Sequence, residues 1–287
     1  MDFDRIIREC GLSRGIVETL FKIHNREWKN FGESLSALID AYDKGDEAFG
    51  EAIATVAKLE NITAEELNLY IYVLLYVRIY SLYREKNISD TIFFATVRRE
   101  IETIAGLCFK ELGIYGIQQN KYRLWMRFSI DGRLFSLGAL NFEIRYDSEF
   151  CGEVDGVILK KGDTHISVHI PRYEKLSEER CEEAYRQARE FFKKHFGLEK
   201  IIFLCHSWML HPWLEEVLPK TSGIIKFSEK YKKIEVSEDL AEVKYWIFPD
   251  DENTSLEELP QNTSLQRAFG EKARAGESLG VACGIRI

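Results

Sequence analysis

The pattern of apolar positions divides the chain into a helical first part and a second part in which strands and helices alternate. Up to about residue 113, apolar residues recur every three or four positions, as on the buried face of an amphipathic helix. The predicted helices cover Phe3–Cys10, Ser13–Trp28, Ser34–Tyr42, Gly45–Leu59, Thr63–Tyr83 and Ser89–Phe109. We therefore predict an all-helical N-terminal domain over residues 1–115.

The run Leu67–Tyr83 is the most apolar part of that domain. Its uninterrupted section is shorter than the roughly 20 apolar residues that a bilayer-spanning helix needs, and Asn68 and Arg78 break it. Thr63 and Glu66 precede it as a capping box, in which each side chain satisfies a free backbone donor of the first helical turn. The run is predicted to be a buried helix of the domain core, so no membrane partner is expected.

From Gly116 onward the period changes from 3.6 to 2, which predicts strands. Tyr122–Ile130 and Phe135–Tyr146 alternate apolar and polar residues on either side of an Asp-Gly turn. Further predicted elements are the strands Val157–Leu159 and Thr164–Ile170, the helix Cys181–His195, the strand Lys200–Ser207, the helix Trp213–Leu218, the strand Glu242–Phe248, a helix over 263–275 and the strand Ser278–Ile287. This order predicts an α+β domain over residues 116–287, a mixed sheet with flanking helices.

Polar chemistry is concentrated in Ile201–Pro212. Four apolar residues form a buried strand, and Cys205, His206 and Ser207 follow at its end. Ligands of open α/β sheets bind at the carboxyl ends of central strands, so these residues are candidates for a site. The alternative is a strand end with ordinary polar caps. Strand alternation also places Cys205 and His206 on opposite faces, which argues against a Cys–His dyad.

Composition limits the class of partner. The 287-residue chain carries a formal net charge of −8, which argues against nucleic acid as a main partner. The partner expected is a small-molecule substrate. The chain's six cysteines are scattered without a Cys-x-x-Cys pair, and the acidic start Met1–Arg5 precedes no apolar region. These features predict a cytoplasmic protein with reduced thiols.

Five segments of the second domain resemble a family of N-acyltransferases in which a helical domain precedes a domain of the GNAT acyltransferase type. The segments are Leu137–Glu143, His169–Pro171, Ala188–Phe192 with His195-Phe196, Cys205–Leu210 with Pro212, and Leu259–Ala268. The resemblance implies transfer of an acyl group from acyl-CoA or acetyl-CoA to an amine. A non-catalytic ligand-binding or regulatory protein with the same fold is the alternative.

The resemblance also implies where the donor binds. In GNAT enzymes the pantetheine arm lies between two splayed strands, which here are Thr164–Ile170 and Lys200–Ser207. The pyrophosphate lies at the start of the helix between those strands. The implied cofactor-binding residues are Ile170, Arg172, Lys175 and Cys205. The loop before the helix departs from the family pattern, since residues 171–180 contain no glycine.

Three residues are candidates for catalysis. Glu143 and His169 are candidate bases, because a partly buried carboxylate or an imidazole can accept a proton near neutral pH. The alternatives are a structural ion pair of Glu143 with Arg123, Arg127 or Arg145 and a structural hydrogen bond of His169. Ser207 is a candidate acid for the leaving thiolate or a substrate-binding residue, and the alternative is a cap for the helix Trp213–Leu218.

No metal site is predicted from the histidines. His165 and His169 share a strand face, but four residues at about 3.3 Å each put them roughly 13 Å apart. That separation is too large for the two imidazoles to bind one ion.

Overall fold

The computed structural model describes residues 1–27, 31–172, 174–249, 251 and 254–287, so Trp28, Tyr173 and part of the acidic loop around residue 250 lie outside the description. The chain divides into two compact units, Met1–Leu137 and Gly138–Ile287. The first contains α1 (Phe3–Cys10), α2 (Arg14–His24), α3 (Phe31–Lys44), α4 (Asp46–Glu60), α5 (Ala64–Glu85), α6 (Asp90–Leu112), α7 (Gln119–Ile130) and the short strand β1 (Leu134–Leu137). The domain boundary at 115/116 stays a prediction.

Helix α5 is the centre of the first unit, as its apolar sequence predicts. Tyr70, Tyr72, Tyr76 and Tyr83 are all buried along it. Burial of a tyrosine requires a partner for its hydroxyl, and Tyr76 shares a 2.7 Å hydrogen bond with Ser129. Across the part of the chain that the structure describes, no helix combines the length and apolarity that crossing a membrane requires.

The predicted strand Tyr122–Ile130 is wrong, because this segment forms most of α7. Its buried residues are Met126, Ser129 and Ile130, at the i, i+3, i+4 spacing of a helix. Leu124, which the strand pattern would bury, is 63% exposed. In a short segment both periods can be present, and packing partners then decide between them.

The second unit is built on a mixed sheet. Its strands are β2 (Leu140–Arg145), β3 (Gly152–Val154), β4 (Val157–Leu159), β5 (His165–His169), β6 (Phe203–Ser207), β7 (Lys232–Glu238) and β8 (Gly280–Arg286). The sheet order is β2-β5-β6-β8-β7, while β3 and β4 form a separate hairpin. Within this order β5 and β6 are parallel and the other pairings are antiparallel.

Helices flank this sheet. They are α8 (Glu178–Phe196), α9 (Trp213–Val217), α10 (Gly223–Ser228), α11 (Leu240–Ile247) and α12 (Ser264–Arg274), and a single 3₁₀ turn at Trp208–Leu210 follows β6. The helical first part and the sheet domain confirm the predicted α+β class.

Different elements cover the two faces of the sheet. On one face, Tyr185 of α8 makes edge-on ring contacts with Phe142 and Phe203 at 5.6 and 5.0 Å. On the other, Leu204 and Ile285 pack with the β3–β4 hairpin. Aromatic packing of this kind is a large part of a core's stability, so α8 is held firmly against β2 and β6.

One further predicted strand is wrong, and one observed strand lies outside the predicted elements. The predicted strand Glu242–Phe248 lies mostly in α11, where Asp239 caps the helix by accepting from the Glu242 N–H at 2.8 Å. Strand β7 falls in a stretch for which no strand was predicted. It is an edge strand with mostly exposed side chains, and only Ile234 and Val236 give it an apolar alternation.

Candidate functional site

The ladder between β5 and β6 stops halfway along both strands. Each strand has five residues, yet within the described chain the register pairs them only at Ile166/Phe203 and Ser167/Leu204. Beyond these pairs β5 stays bonded to β2, and β6 stays bonded to β8. The carboxyl-terminal halves of two neighbouring parallel strands are therefore unpaired with each other. We call the space between them the strand gap.

The register assigns the candidate side chains on the strands to faces of the sheet. Residues opposite each other in a ladder share a face, and alternate residues along a strand do so as well. Glu143 faces the same way as Ser167 and His169, whereas Phe203, Cys205 and Ser207 face α8. The sheet thus brings Glu143 and His169 together and separates them from Cys205 and Ser207.

Glu143 and His169 are hydrogen-bonded. The His169 Nε2 lies 3.0 Å from a carboxylate oxygen of Glu143, whose side chain is completely buried. In the tautomer that donates Nε2–H to the carboxylate, Nδ1 carries the lone pair that can accept a proton. A buried carboxylate behind an imidazole fixes its orientation and stabilises the imidazolium, so the pair has the chemistry of a general base.

Arg145 is the third member of this cluster. Its Nε donates to the other oxygen of Glu143 at 3.3 Å. Arg127 is engaged elsewhere, because it pairs with Asp46 and donates to the Tyr42 carbonyl. The ion pair considered as an alternative for Glu143 is therefore present together with the His169 contact, and a charged neighbour makes a buried carboxylate less costly.

Cys205 lies in the core between β6 and the helices. It is 1% exposed, and burial raises its pKa well above the usual range. Tyr231, whose hydroxyl hydrogen-bonds to the Tyr185 hydroxyl, is buried in the same core. A thiol whose anion is destabilised by burial does not act as a nucleophile. Its predicted role beside a cofactor stays a prediction.

Ser207 caps the 3₁₀ turn that follows β6. Its Oγ accepts from the Met209 N–H at 3.1 Å, so it caps this turn, and the helix α9 begins after Pro212 without a side-chain cap. The hydroxyl proton remains a donor, since a serine oxygen can accept and donate at once. A role for Ser207 toward a thiolate also stays a prediction.

The loop from β5 to α8 carries the predicted phosphate-binding residues in different surroundings. Arg172 is half-buried over the rings of Tyr245 and Trp246, with centroids 5.2 and 4.9 Å away. Lys175 is exposed, and Ile170 lies just past the end of β5, partly exposed. Stacking on aromatic rings leaves the edge of a guanidinium able to donate hydrogen bonds.

The first turn of α8 already holds a carboxylate among cations. Glu178 lies 3.4 Å from Lys226 and 2.9 Å from Lys230. Ser177 caps the helix by accepting from the Arg180 N–H, and Arg180 pairs with Glu174 at 2.7 Å. The two lysines were missed from the sequence. Lys226 and Lys230 are four residues apart in the sequence, but this spacing does not indicate that they lie beside the start of α8.

Metal-ligating residues do not gather at this site. Within the described ranges, His, Cys, Asp and Glu form no group of three that could hold an ion. His165 is buried, and this burial lowers its pKa, while His169 contacts Glu143.

A family model, the GNAT-like C-terminal domain, matches residues 134–286, which is just over half of the chain. This range includes the sheet of the second unit, the strand gap and the Glu143–His169 pair. A search of curated protein sequences found no match.

Solved acyltransferase structures share the fold. A mutant acyltransferase in complex with octanoyl-CoA aligns with a TM-score of 0.74 and 19% identity, over 99% of this chain and 86% of that one. An acyltransferase in complex with decanoyl-CoA and teicoplanin aligns with a TM-score of 0.68 and 19% identity, over 100% and 99%. At this identity the likeness concerns the fold.

Proposed function

Because the chain belongs to the GNAT-like C-terminal domain family, we propose that it is an acyltransferase that moves an acyl group from acyl-CoA to an amine. The observation that carries the proposal is the strand gap with the hydrogen-bonded Glu143 and His169 at one side of it. The acyl-CoA bound to the similar structures supports the choice of donor.

The backbone of β5 supports binding of the donor in the gap. The Ile166 N–H donates to the Ile202 carbonyl of the neighbouring chain segment at 2.9 Å. Alternate residues of a strand direct their backbone N–H and C=O groups to the same edge. The N–H and C=O of Val168 therefore point into the strand gap, beyond the Ser167/Leu204 pair. There they can bond the amides of a pantetheine arm, which then lies along β5 like an added strand.

The phosphates of the donor would lie on the α8 side of the loop. Arg172 and Lys175 offer charge there, and so do Lys226 and Lys230. The Glu178 carboxylate forms ion pairs with Lys226 and Lys230, so a phosphate that bound these two lysines would have to displace Glu178. This arrangement lowers the expected affinity for CoA, since the carboxylate and the phosphate compete for the same cations.

His169 would act as the general base. Its imidazole takes a proton from the acceptor as the amine nitrogen attacks the thioester carbonyl carbon, and Glu143 stabilises the resulting imidazolium. Backbone donors at the edge of β5 can hold the carbonyl oxygen as it becomes negative. Collapse of the tetrahedral intermediate then breaks the C–S bond and releases the CoA thiolate.

Isothermal titration with CoA, acetyl-CoA and octanoyl-CoA tests donor binding. The proposal predicts saturable binding, with the acylated forms binding no more weakly than CoA itself. Absence of binding by all three compounds would contradict the proposal that acyl-CoA is the donor. His195→Gln, a change in the last turn of α8, is the control for substitution of His169 and should leave binding unchanged.

A non-catalytic binding protein is the second candidate function. The glycine-free loop and the occupied lysines at the start of α8 favour it. Binding of acyl-CoA without any turnover would support this candidate. Turnover that disappears in Glu143→Gln and His169→Ala would rule it out.

A further inference from the structure

A second histidine stands across the strand gap from His169. Ser167 and Leu204 form the last pair of the ladder, and His169 and His206 each lie two residues beyond it. Two residues along a strand restore the same face, so both imidazoles are on the face that carries Glu143. The gap is thus flanked by one histidine on β5 and one on β6.

His206 is accessible and held in place. It is exposed, and its ring stacks on Phe150 with the centroids 5.8 Å apart and the planes 28° apart. On the β8 side, His206 is paired in the ladder with Cys283. Glu242 of α11 also lies near His206. Burial raises the pKa of the Glu242 carboxyl, and the nearby His206 lowers it.

We propose that His206 is the general acid that protonates the leaving thiolate of the donor, opposite the base His169. This inference rests on the proposed function. A thioester in the gap has β5 on one side of its carbonyl carbon and β6 on the other. The nucleophile and the leaving group of a tetrahedral intermediate lie on different bonds of that carbon, so an acid and a base on opposite strands can serve both.

The proton balance of the step is complete. The amine nitrogen forms a bond to the carbonyl carbon, and its proton passes to His169. The C–S bond breaks with its electron pair on sulfur, and the imidazolium of His206 gives its proton to that sulfur. Solvent then takes the proton from His169 and returns one to His206, so amide and free thiol are the net products.

Leaving-group acidity provides the test. An acyl-CoA releases a weakly acidic alkyl thiol, whereas an aryl thioester of the same acyl group releases a thiolate that needs no proton. We expect His206→Gln to lower kcat/KM about 10²-fold with the acyl-CoA, in the range typical of general acid catalysis. With the aryl thioester the loss should be less than about 3-fold, whereas His169→Ala should impair both donors.

Each outcome separates the two proposals. A His206→Gln variant that keeps full turnover of acyl-CoA, or that loses equal activity with both donors, would overturn the role of His206 alone. Absence of turnover by the wild-type protein with any acyl-CoA would overturn the proposed function and this role together. Because His206 is exposed, an unchanged thermal transition is expected, and it shows that the variant is folded.

Discussion

Glu143 and His169 form the chemical unit of the candidate site, and they are 26 residues apart in the chain. The sequence supports each as a base by its residue type and strand position. It could not pair them, because the register between β2 and β5 depends on which side chains pack in the sheet. The separation of Cys205 from His206, in contrast, follows from strand alternation alone and agrees with their surroundings.

The first prediction concerns this pair. Glu143→Gln and His169→Ala should each lower kcat/KM by about 10² to 10⁴, the usual contribution of a general base. The double variant should lose little more than His169→Ala alone, because Glu143 acts through the imidazole. Steady-state kinetics of the four proteins measure the coupling. Fully additive losses would show that Glu143 is a separate structural residue.

At the scale of elements, helices and strands were predicted well where one face is clearly buried. α8 and the strands β5 and β6 belong to this group, and each is covered on at least one face. The sequence pattern predicts strands where α7 and α11 form, because a short segment can fit both the 3.6-residue period of a helix and the two-residue period of a strand. Their packing partners, such as Ser129 on Tyr76, come from distant parts of the chain. β7 is not predicted because an edge strand with mostly exposed side chains carries only two alternating apolar residues, Ile234 and Val236.

The second prediction tests the close approach of β7 to β8. A Cβ on Gly280 would lie 1.9 Å from the Ser237 carbonyl oxygen. The backbone must therefore shift, and we expect Gly280→Ala to cost about 2 kcal/mol or more in the free energy of unfolding. Urea unfolding followed by circular dichroism measures the change.

A second glycine provides the matched control. Gly106, inside α6, has no described heavy atom within 4 Å of the same position. There the change to alanine should stabilise the helix by about 0.5–1 kcal/mol. Equal effects at Gly280 and Gly106 would contradict the β7–β8 geometry.

At the scale of the whole molecule, the comparison confirms a helical N-terminal part followed by a GNAT-like domain. The resemblance seen in five segments between Leu137 and Ala268 lies within the matched range 134–286. The residue pattern alone does not show the interrupted β5–β6 ladder, because strand alternation is the same in paired and unpaired strands; only the resemblance to GNAT enzymes implies splayed strands there. The acceptor is likewise absent from the sequence, since a fold carries many chemistries.

The third prediction concerns acid stability. Burial lowers the pKa of His165 and His211 below 6.5. Between that value and each lowered pKa, the unfolded chain binds more protons than the folded one, so the free energy of unfolding falls with falling pH. The stabilisation is complete above about pH 6.5, the unfolded value.

Urea midpoints at pH 7.5, 6.5 and 5.5 measure this loss, with tryptophan fluorescence as the signal. The double variant His165→Gln/His211→Asn should lose less stability than the wild type across the interval. Identical pH slopes for the two proteins would contradict the assignment to these histidines.

Amide formation from acyl-CoA tests most directly whether the protein is an acyltransferase. Octanoyl-CoA is incubated with a panel of primary amines, and mass spectrometry detects the acylated product while a thiol reagent measures released CoA. We expect amide and thiol in equal amounts from the wild-type protein, and a rate at least about 10²-fold lower from His169→Ala. Bound acyl-CoA that yields no amide, or an unchanged rate in His169→Ala, would contradict it.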